Sequence, residues 1–356
     1  MSKLVHHQSG VVSEPTLHGL TLLLRVKQNV RDELIQVLNR YPEVAEQLEA
    51  RFSDAMLSLV IAFGDDFWHE LYPDDRPDEL KAGRFVSPGV EQTPTKHFDI
   101  ALVLRSDRVD ANYEAARSLL KLFNRVTELE VEIPAFRYLD GRNLFGFHST
   151  PKIPHGVRRR EITLVPEGPF AGGSYLWIQF SRANLAAFEE LSPESQELRV
   201  GQNKLSGKPV SVAVSAESPE EAERGTQEQE REEQPHTHYH MSQTKEEDEF
   251  WRLHMPVADM RVQGEISWYW SRDLKRIRTW LEYRHGVNDQ QRVDPMLEFS
   301  EQIFNATFFA PSLNFLQQLS LVTAEPEPDT PEATAEGDDV ESDNRDSIHS
   351  DSRSAD

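Results

Sequence analysis

Cysteine is absent from all 356 residues. That absence removes disulfides, thiolate metal sites, iron–sulfur clusters and cysteine nucleophiles together, so any metal must be held by His, Asp, Glu or a cofactor. Also missing is an apolar run of about eighteen residues or more, and "MSKLVHHQSGVV" (1–12) has no apolar stretch followed by a small-residue cleavage site. A cytoplasmic protein with no membrane span is expected. Basic clusters are scarce as well: 38 Lys and Arg face 61 Asp and Glu, for a net charge of −23. Residues 321–356 carry twelve acidic and two basic side chains, residues 216–234 carry eight and two, and these segments hold −16 of the total. The acidity belongs to an insert and a tail. Nucleic acid is excluded as an expected partner, because phosphate binding needs clustered Lys and Arg.

What is present is a chain with 38% hydrophobic residues, sufficient for a real core, in alternating strand-like and helix-like periods. "LHGLTLLLRV" (17–26) reads as a strand, 30–52 as a helix with a proline break, and "LSLVIAFG" (57–64) as a buried strand. Residues 97–107 read as a strand, 111–126 as an amphipathic helix and 128–139 as a strand, so the order is β-α-β-β-α-β, one ferredoxin-like unit. The pattern returns after a glycine–proline loop: strand 173–182, helical region 184–201, strands 249–255 and 264–272, and helix 274–285. This predicts an α+β fold of two ferredoxin-like units packed sheet to sheet, in the manner of a dimeric α/β barrel. The boundaries are 8–147 for the N-terminal unit and 148–320 for the C-terminal one. Residues 211–234 read as a disordered acidic insert and 321–356 as a disordered acidic tail, both poor in large apolar residues.

Several constellations could carry chemistry. Arg252 lies in "FWRLHMP" between large apolar residues, so its strand reads as buried on both faces, and a buried guanidinium needs an anion, whether structural or a ligand. "PHTHYHM" (235–241) spaces His236, His238 and His240 by two; if extended, the three imidazoles share one face, as a metal site would require, and solvated polar sequence is the competing reading. "GFHSTPKIPHG" (146–156) brings His148, Ser149 and His155 into one loop, without the glycine-flanked elbow of a serine nucleophile. Asp140 before Gly141 reads as a turn aspartate. The paired glycines of "AGGSYLWIQF" imply close approach of backbone or ligand. "FFAPSLNFL" (308–316) reads as a strand end and a helix start with Pro311 near the first turn.

In order, "FRYLDGRNLFGF", "GPFAGGSYLWIQF", "LSPESQE", "VGQNKLSG", "FWRLHMP", "ISWYWSRD" and "FFAPSLNFL" make the chain, from about Gln8 to Leu319, resemble the dye-decolorizing (DyP-type) haem peroxidases, most closely the bacterial branch called class B. The resemblance implies haem b in the C-terminal unit with the inter-unit loop over its distal face. It also implies hydrogen peroxide and an organic electron donor as substrates, and a homo-oligomer. The family's distal arginine matches Arg252, whose guanidinium would stabilise the charge that develops as the O–O bond breaks. Its proximal histidine matches His238 after Thr237, with His236 and His240 as alternatives because the insert blurs the register. The family's distal aspartate does not transfer: Ser149 and Thr150 stand where Asp-Gly is usual, and Gln202 stands in place of an arginine. A serine cannot accept a proton at neutral pH, so that step would fall to water, His148 or His155, or be lost. A slow peroxidase is expected. The rival readings are a non-catalytic haem-binding or haem-handling protein on the same scaffold, and a scaffold that has lost haem. The tail, ending "DSIHSDSRSAD", lacks the apolar character of the peptides that load some relatives into protein nanocompartments.

Overall fold

Three of the four strands of the N-terminal half are apolar enough to be buried on both faces over most of their length. Strand β1 (His18–Val26) keeps six consecutive residues buried, and β2 (Ser58–Gly64) and β3 (Ile100–Ser106) are buried throughout. The structure is a computed structural model and describes residues 5–73, 75–80, 96–148, 154–210, 236–244, 248–287 and 291–319. Ser149, the insert at 211–234 and the tail at 321–356 lie outside the described residues.

Helix α1 (Arg31–Arg51) buries Leu34, Leu38, Tyr41, Ala45 and Leu48, one face at helical spacing. It runs unbroken through Pro42, contrary to the break expected from the sequence. Proline in a helix interior forfeits one backbone bond, at a cost of ~3 kcal/mol; burial of Pro42 with its neighbours Tyr41 and Ala45 offsets that loss. Helix α2 (Asp65–Leu71) follows β2, α3 (Val109–Phe123) follows β3, and β4 (Thr127–Phe136) closes the half. The C-terminal half begins with α4 (Gly156–Thr163) and β5 (Ser174–Ala183). Next come the short helices α5 (Leu185–Glu189), α6 (Pro193–Val200) and α7 (His238–Met241). The strands β6 (Trp251–Ala258) and β7 (Gln263–Ser271), helix α8 (Leu274–Arg284), β8 (Ser300–Ala310) and α9 (Leu313–Gln318) complete it. Pro311 immediately precedes the α9 N-cap, Ser312, beside the first turn as the sequence predicts.

The strand order β4-β1-β3-β2-β8-β5-β7-β6 is two antiparallel ferredoxin-like sheets joined side by side. The join is short: Phe63 pairs with Phe309 and Gly64 with Phe308. The two outermost strands, β4 and β6, also approach each other, so the inner faces of the two sheets enclose one core. Leu23, Val60, Val103 and Ile133 from the first half meet Ile178, Trp251, Trp268 and Phe308 from the second in that core. The outer faces are covered by α1 and α3 on one side and by α8 on the other. Gly173, flagged by its pairing with Gly172, permits close packing: a Cβ there would lie 2.5 Å from the Phe309 ring. No helix of the described residues is long and apolar enough to cross a membrane.

Candidate functional site

Strand period two sorts the β6 side chains cleanly. Trp251, Leu253 and Met255 enter the inner core, whereas Phe250, Arg252 and His254 point to the outer face. On β7 and β5 the same outer face carries Tyr269, Ser267 and Glu265, and Trp177, Gln179 and Ser181. At one end this face is apolar and lies under α8, where Trp280 packs on Phe250 and Tyr269. Toward the other end it turns polar. There a cavity opens, floored by Arg252, His254, Glu265, Ser267 and Gln179 and walled by Val200, Met296, Leu297, Phe145 and Phe147.

Arg252 is buried, with its guanidinium carbon 4.7 Å from the centroid of a Trp280 ring and 5.4 Å from that of Phe250. One of its terminal nitrogens donates to the Ser242 carbonyl. Of the two anions the sequence allows, structural or ligand, the structural one is not found: among the described residues no ion pair includes Arg252. Aromatic faces, one carbonyl and the cavity surround it instead. Burial lowers its pKa to about 10, which still leaves it cationic at neutral pH.

The three spaced histidines do not converge, because Thr237 caps a helical turn that begins at His238, and a helix splays residues two apart. His236 Nε2 lies 2.7 Å from the Val293 carbonyl, and His240 Nδ1 lies 3.0 Å from its own capping residue, Thr237 Oγ1. Only His238 of the three lines the cavity. Its Nδ1 is 2.9 Å from Asp294 Oδ2 and 3.1 Å from Oδ1, and among the described residues its Nε2 takes no hydrogen bond. Asp294 is fully buried and also accepts from Arg284 Nε at 2.7 Å and from the Met296 amide at 2.9 Å. Burial pushes its carboxyl up, but the charges of His238 and Arg284 and these hydrogen bonds outweigh burial and hold it far below the ordinary carboxylate range.

In the inter-unit loop, residues 143–145 and Phe147 reach the cavity rim, and His148 stands there with Nε2 3.6 Å from Asp140. Asp140 is the expected turn residue, exposed and paired with Arg142 at 2.8 Å. His155 points to solvent, 3.8 Å from Glu14, and does not line the cavity. Gln202 lines it and donates to the Gly207 carbonyl at 3.2 Å. Two cavity residues, Glu265 and His254, and Asp294, which backs His238 without lining the cavity, were not singled out as site residues from the sequence. The one available signal was position, since His254 follows Arg252 by two on a strand and therefore shares its face. Its Nδ1 lies 2.8 Å from Ser267 Oγ and 3.2 Å from Glu265 Oε1.

Comparison with known proteins covers nearly all of the described fold. The Dyp-type peroxidase N-terminal family model matches residues 8–137, and the C-terminal model matches 140–315. A dye-decolorizing peroxidase of Brevibacterium linens is 26% identical over 328 residues, covering 89% of this chain and 84% of that protein. A dye-decolorizing protein from V. cholerae superposes with a TM-score of 0.73 at 27% identity, covering 88% of this chain and 100% of that one. A variant of DypB from Rhodococcus jostii RHA1, solved in complex with haem, gives a TM-score of 0.75 at 21% identity, covering 88% and 98%.

Proposed function

The chain belongs to the Dyp-type peroxidase family, and from that premise we propose that it reduces hydrogen peroxide at a haem b held in the cavity between His238 and Arg252, oxidising an organic electron donor. The observation that carries this reading is the state of His238. Its side chain lines the cavity, and its Nδ1 is taken by a carboxylate fixed from two other directions, which leaves Nε2 without a hydrogen-bond partner among the described residues. A neutral imidazole so held would serve as the iron ligand, and its carboxylate partner would fix its tautomer and raise its basicity. The apolar walls, among them Val200, Phe147, Met296 and Leu297, suit a flat macrocycle. The donor set fits haem better than a bare ion. The one His/Asp/Glu cluster among the described residues with metal-chelating spacing, Asp65, Asp66 and His97, lies elsewhere.

Bound haem supplies the redox chemistry with peroxide. The chain's own contribution begins with Arg252, whose fixed cation offsets negative charge on the peroxide oxygens as their bond breaks. Because one nitrogen is anchored on the Ser242 carbonyl and the guanidinium is held by Trp280, the charge is in place before the reaction begins. Asp294 stays ionised and holds the His238 imidazole in one orientation. Ser149 has no base to offer at neutral pH, and acid–base help is worth ~10²–10⁴ in rate. The reaction is therefore slow unless a cavity group moves the proton.

Titrating the full-length protein with haem tests the reading. A Soret band that saturates at one equivalent, is lost or shifted in His238→Ala and persists in His236→Ala and His240→Ala is the expected result. Arg252→Ala should keep haem and slow the reaction with peroxide by ~10²–10³-fold, the usual loss for one charge-stabilising donor. A protein that takes up no haem sinks the proposal; one that binds haem and ignores peroxide is a haem-handling protein instead.

A further inference from the structure

The cavity floor contains an imidazole that the reading above leaves without a task. We propose that His254, oriented by Ser267 and Glu265, is the base that moves the peroxide proton, in the role that Ser149 cannot fill; the proposal rests on the haem-peroxidase reading of the same cavity. His254 and Arg252 share the outer face of β6 two residues apart, so their side chains emerge roughly 7 Å from one another along the strand. Both line the cavity. Across the sheet His254 stands directly opposite Ser267 and diagonally from Glu265, which is paired with Pro256. Nδ1 is thereby engaged by Ser267 Oγ at 2.8 Å and Glu265 Oε1 at 3.2 Å, and Ser267 Oγ donates in turn to Glu265 Oε1 at 3.4 Å. With the Nδ1 proton donated to this pair, the lone pair belongs to Nε2, for which the described residues provide no partner. An imidazole backed by a carboxylate is a competent general base.

The other groups at the cavity are poorer candidates. Arg252 and Arg284 keep their protons, and burial pushes the Tyr269 phenol upward so that it holds its own. His238 is committed to the opposite task by Asp294. His148 stands at the rim beside exposed Asp140. Glu265 is pushed up by burial, but its hydrogen bond to His254 and the charges of His254, His238 and Arg284 outweigh that and hold it below its ordinary value, which makes it an orienting anion and a weak base.

The atoms balance simply. Nε2 takes the proton from one peroxide oxygen and returns it to the other, which leaves as water when the O–O bond breaks. The peroxide is reduced, and the electrons come, by way of bound haem, from the organic donor that is oxidised. The oxygen that remains takes up two protons, released by the organic donor as it is oxidised, and leaves as a second water.

The test uses the full-length protein loaded with haem, as wild type, His254→Gln and Glu265→Gln, with three readouts. Soret titration should show that all three bind haem. Rates of the reaction with peroxide, and separately of cyanide binding to the ferric protein, which also requires hydrogen cyanide to give up a proton, are then measured against pH. His254→Gln should slow both by ~10²–10⁴-fold and erase the acid limb of the wild-type profile, and Glu265→Gln should slow both less and keep a limb. In the haem-free protein, ¹⁵N NMR of the imidazole should show the Nδ1–H tautomer in wild type and its loss in Glu265→Gln. A His254→Gln protein that binds haem and reacts at the wild-type rate with an unchanged profile overturns the proposal and leaves the peroxidase reading standing. Full loss in Glu265→Gln with little change in His254→Gln overturns it in favour of the carboxylate. Wild type that binds no haem, or never reacts with peroxide, overturns both.

Discussion

Asp294 is the single residue on which most of the proposed haem-ligand side depends. Its carboxylate has no exposed surface and answers two partners at once, His238 at 2.9 Å and Arg284 at 2.7 Å. Arg284 is itself nearly buried, with its guanidinium 4.8 Å from the Trp280 ring. Removing one partner of a buried pair leaves an uncompensated charge, which costs about 3–5 kcal/mol. Asp294→Ala should therefore lower the stability of the haem-free protein by that amount in a urea titration, and weaken haem binding by ~10–100-fold, the usual effect of losing a ligand's hydrogen-bond partner. Asp294→Asn should lose less stability, because an amide still accepts from the Met296 amide. The buried position of Arg252 was legible in the sequence through its apolar flanks, whereas the histidine run left His236, His238 and His240 open and only the family resemblance favoured His238. Asp294 was not legible, because it sits 56 residues away from His238 in an unremarkable "RVDPM". His254 is within reach from strand periodicity alone, two residues after Arg252 on the same face.

At the scale of elements, the site depends on a helix too short to be stable by itself. Helix α7 has four residues, and its position is set by contact with the end of α6. Gly201 caps α6 at φ +83°, a left-handed backbone that favours glycine, and a Cβ there would lie 2.4 Å from Thr237 Oγ1 and 2.7 Å from Thr237 Cβ. Thr237 is the cap that starts α7 at His238. Gly201→Ala should thus cost about 1–3 kcal/mol and displace the histidine, read as a lower denaturation midpoint together with weaker haem uptake. Gly168→Ala separates strain from collision. That glycine also has positive φ, +85°, but nothing lies within 4 Å of its missing Cβ, so stability should fall while haem affinity holds. The regular strands and helices were legible because their apolar residues recur at periods of two or near 3.6. Helix α7 was not: four residues carry no period, and "HTHYH" reads as alternation until the threonine cap is recognised. Pro42 misled for the opposite reason, a strong local signal overridden by packing.

For the molecule as a whole, two repeated units need not mean two independent ones. The inner core draws Leu23, Val60 and Val103 from the first sheet and Ile178, Trp268 and Phe308 from the second, so neither half has a complete core of its own. The repeat was readable in the order of elements; the closure was not, because it joins residues hundreds of positions apart. A polar contact crosses the shared core: Trp268 Nε1 donates to Thr21 Oγ1 at 3.0 Å, both buried. Thr21→Val keeps the shape and leaves the indole N–H without an acceptor, at a cost of about 1–3 kcal/mol. Where that cost falls tests the architecture. Five of the six tryptophans lie in the C-terminal half and only Trp68 in the N-terminal one, so fluorescence follows mainly the second half while far-UV circular dichroism follows both. Units that unfold separately would give two transitions, with fluorescence departing from dichroism. A closed double sheet with one interior should give coincident curves in wild type. In Thr21→Val both should move to lower urea by the same amount, because a loss in the shared core destabilises both sheets at once.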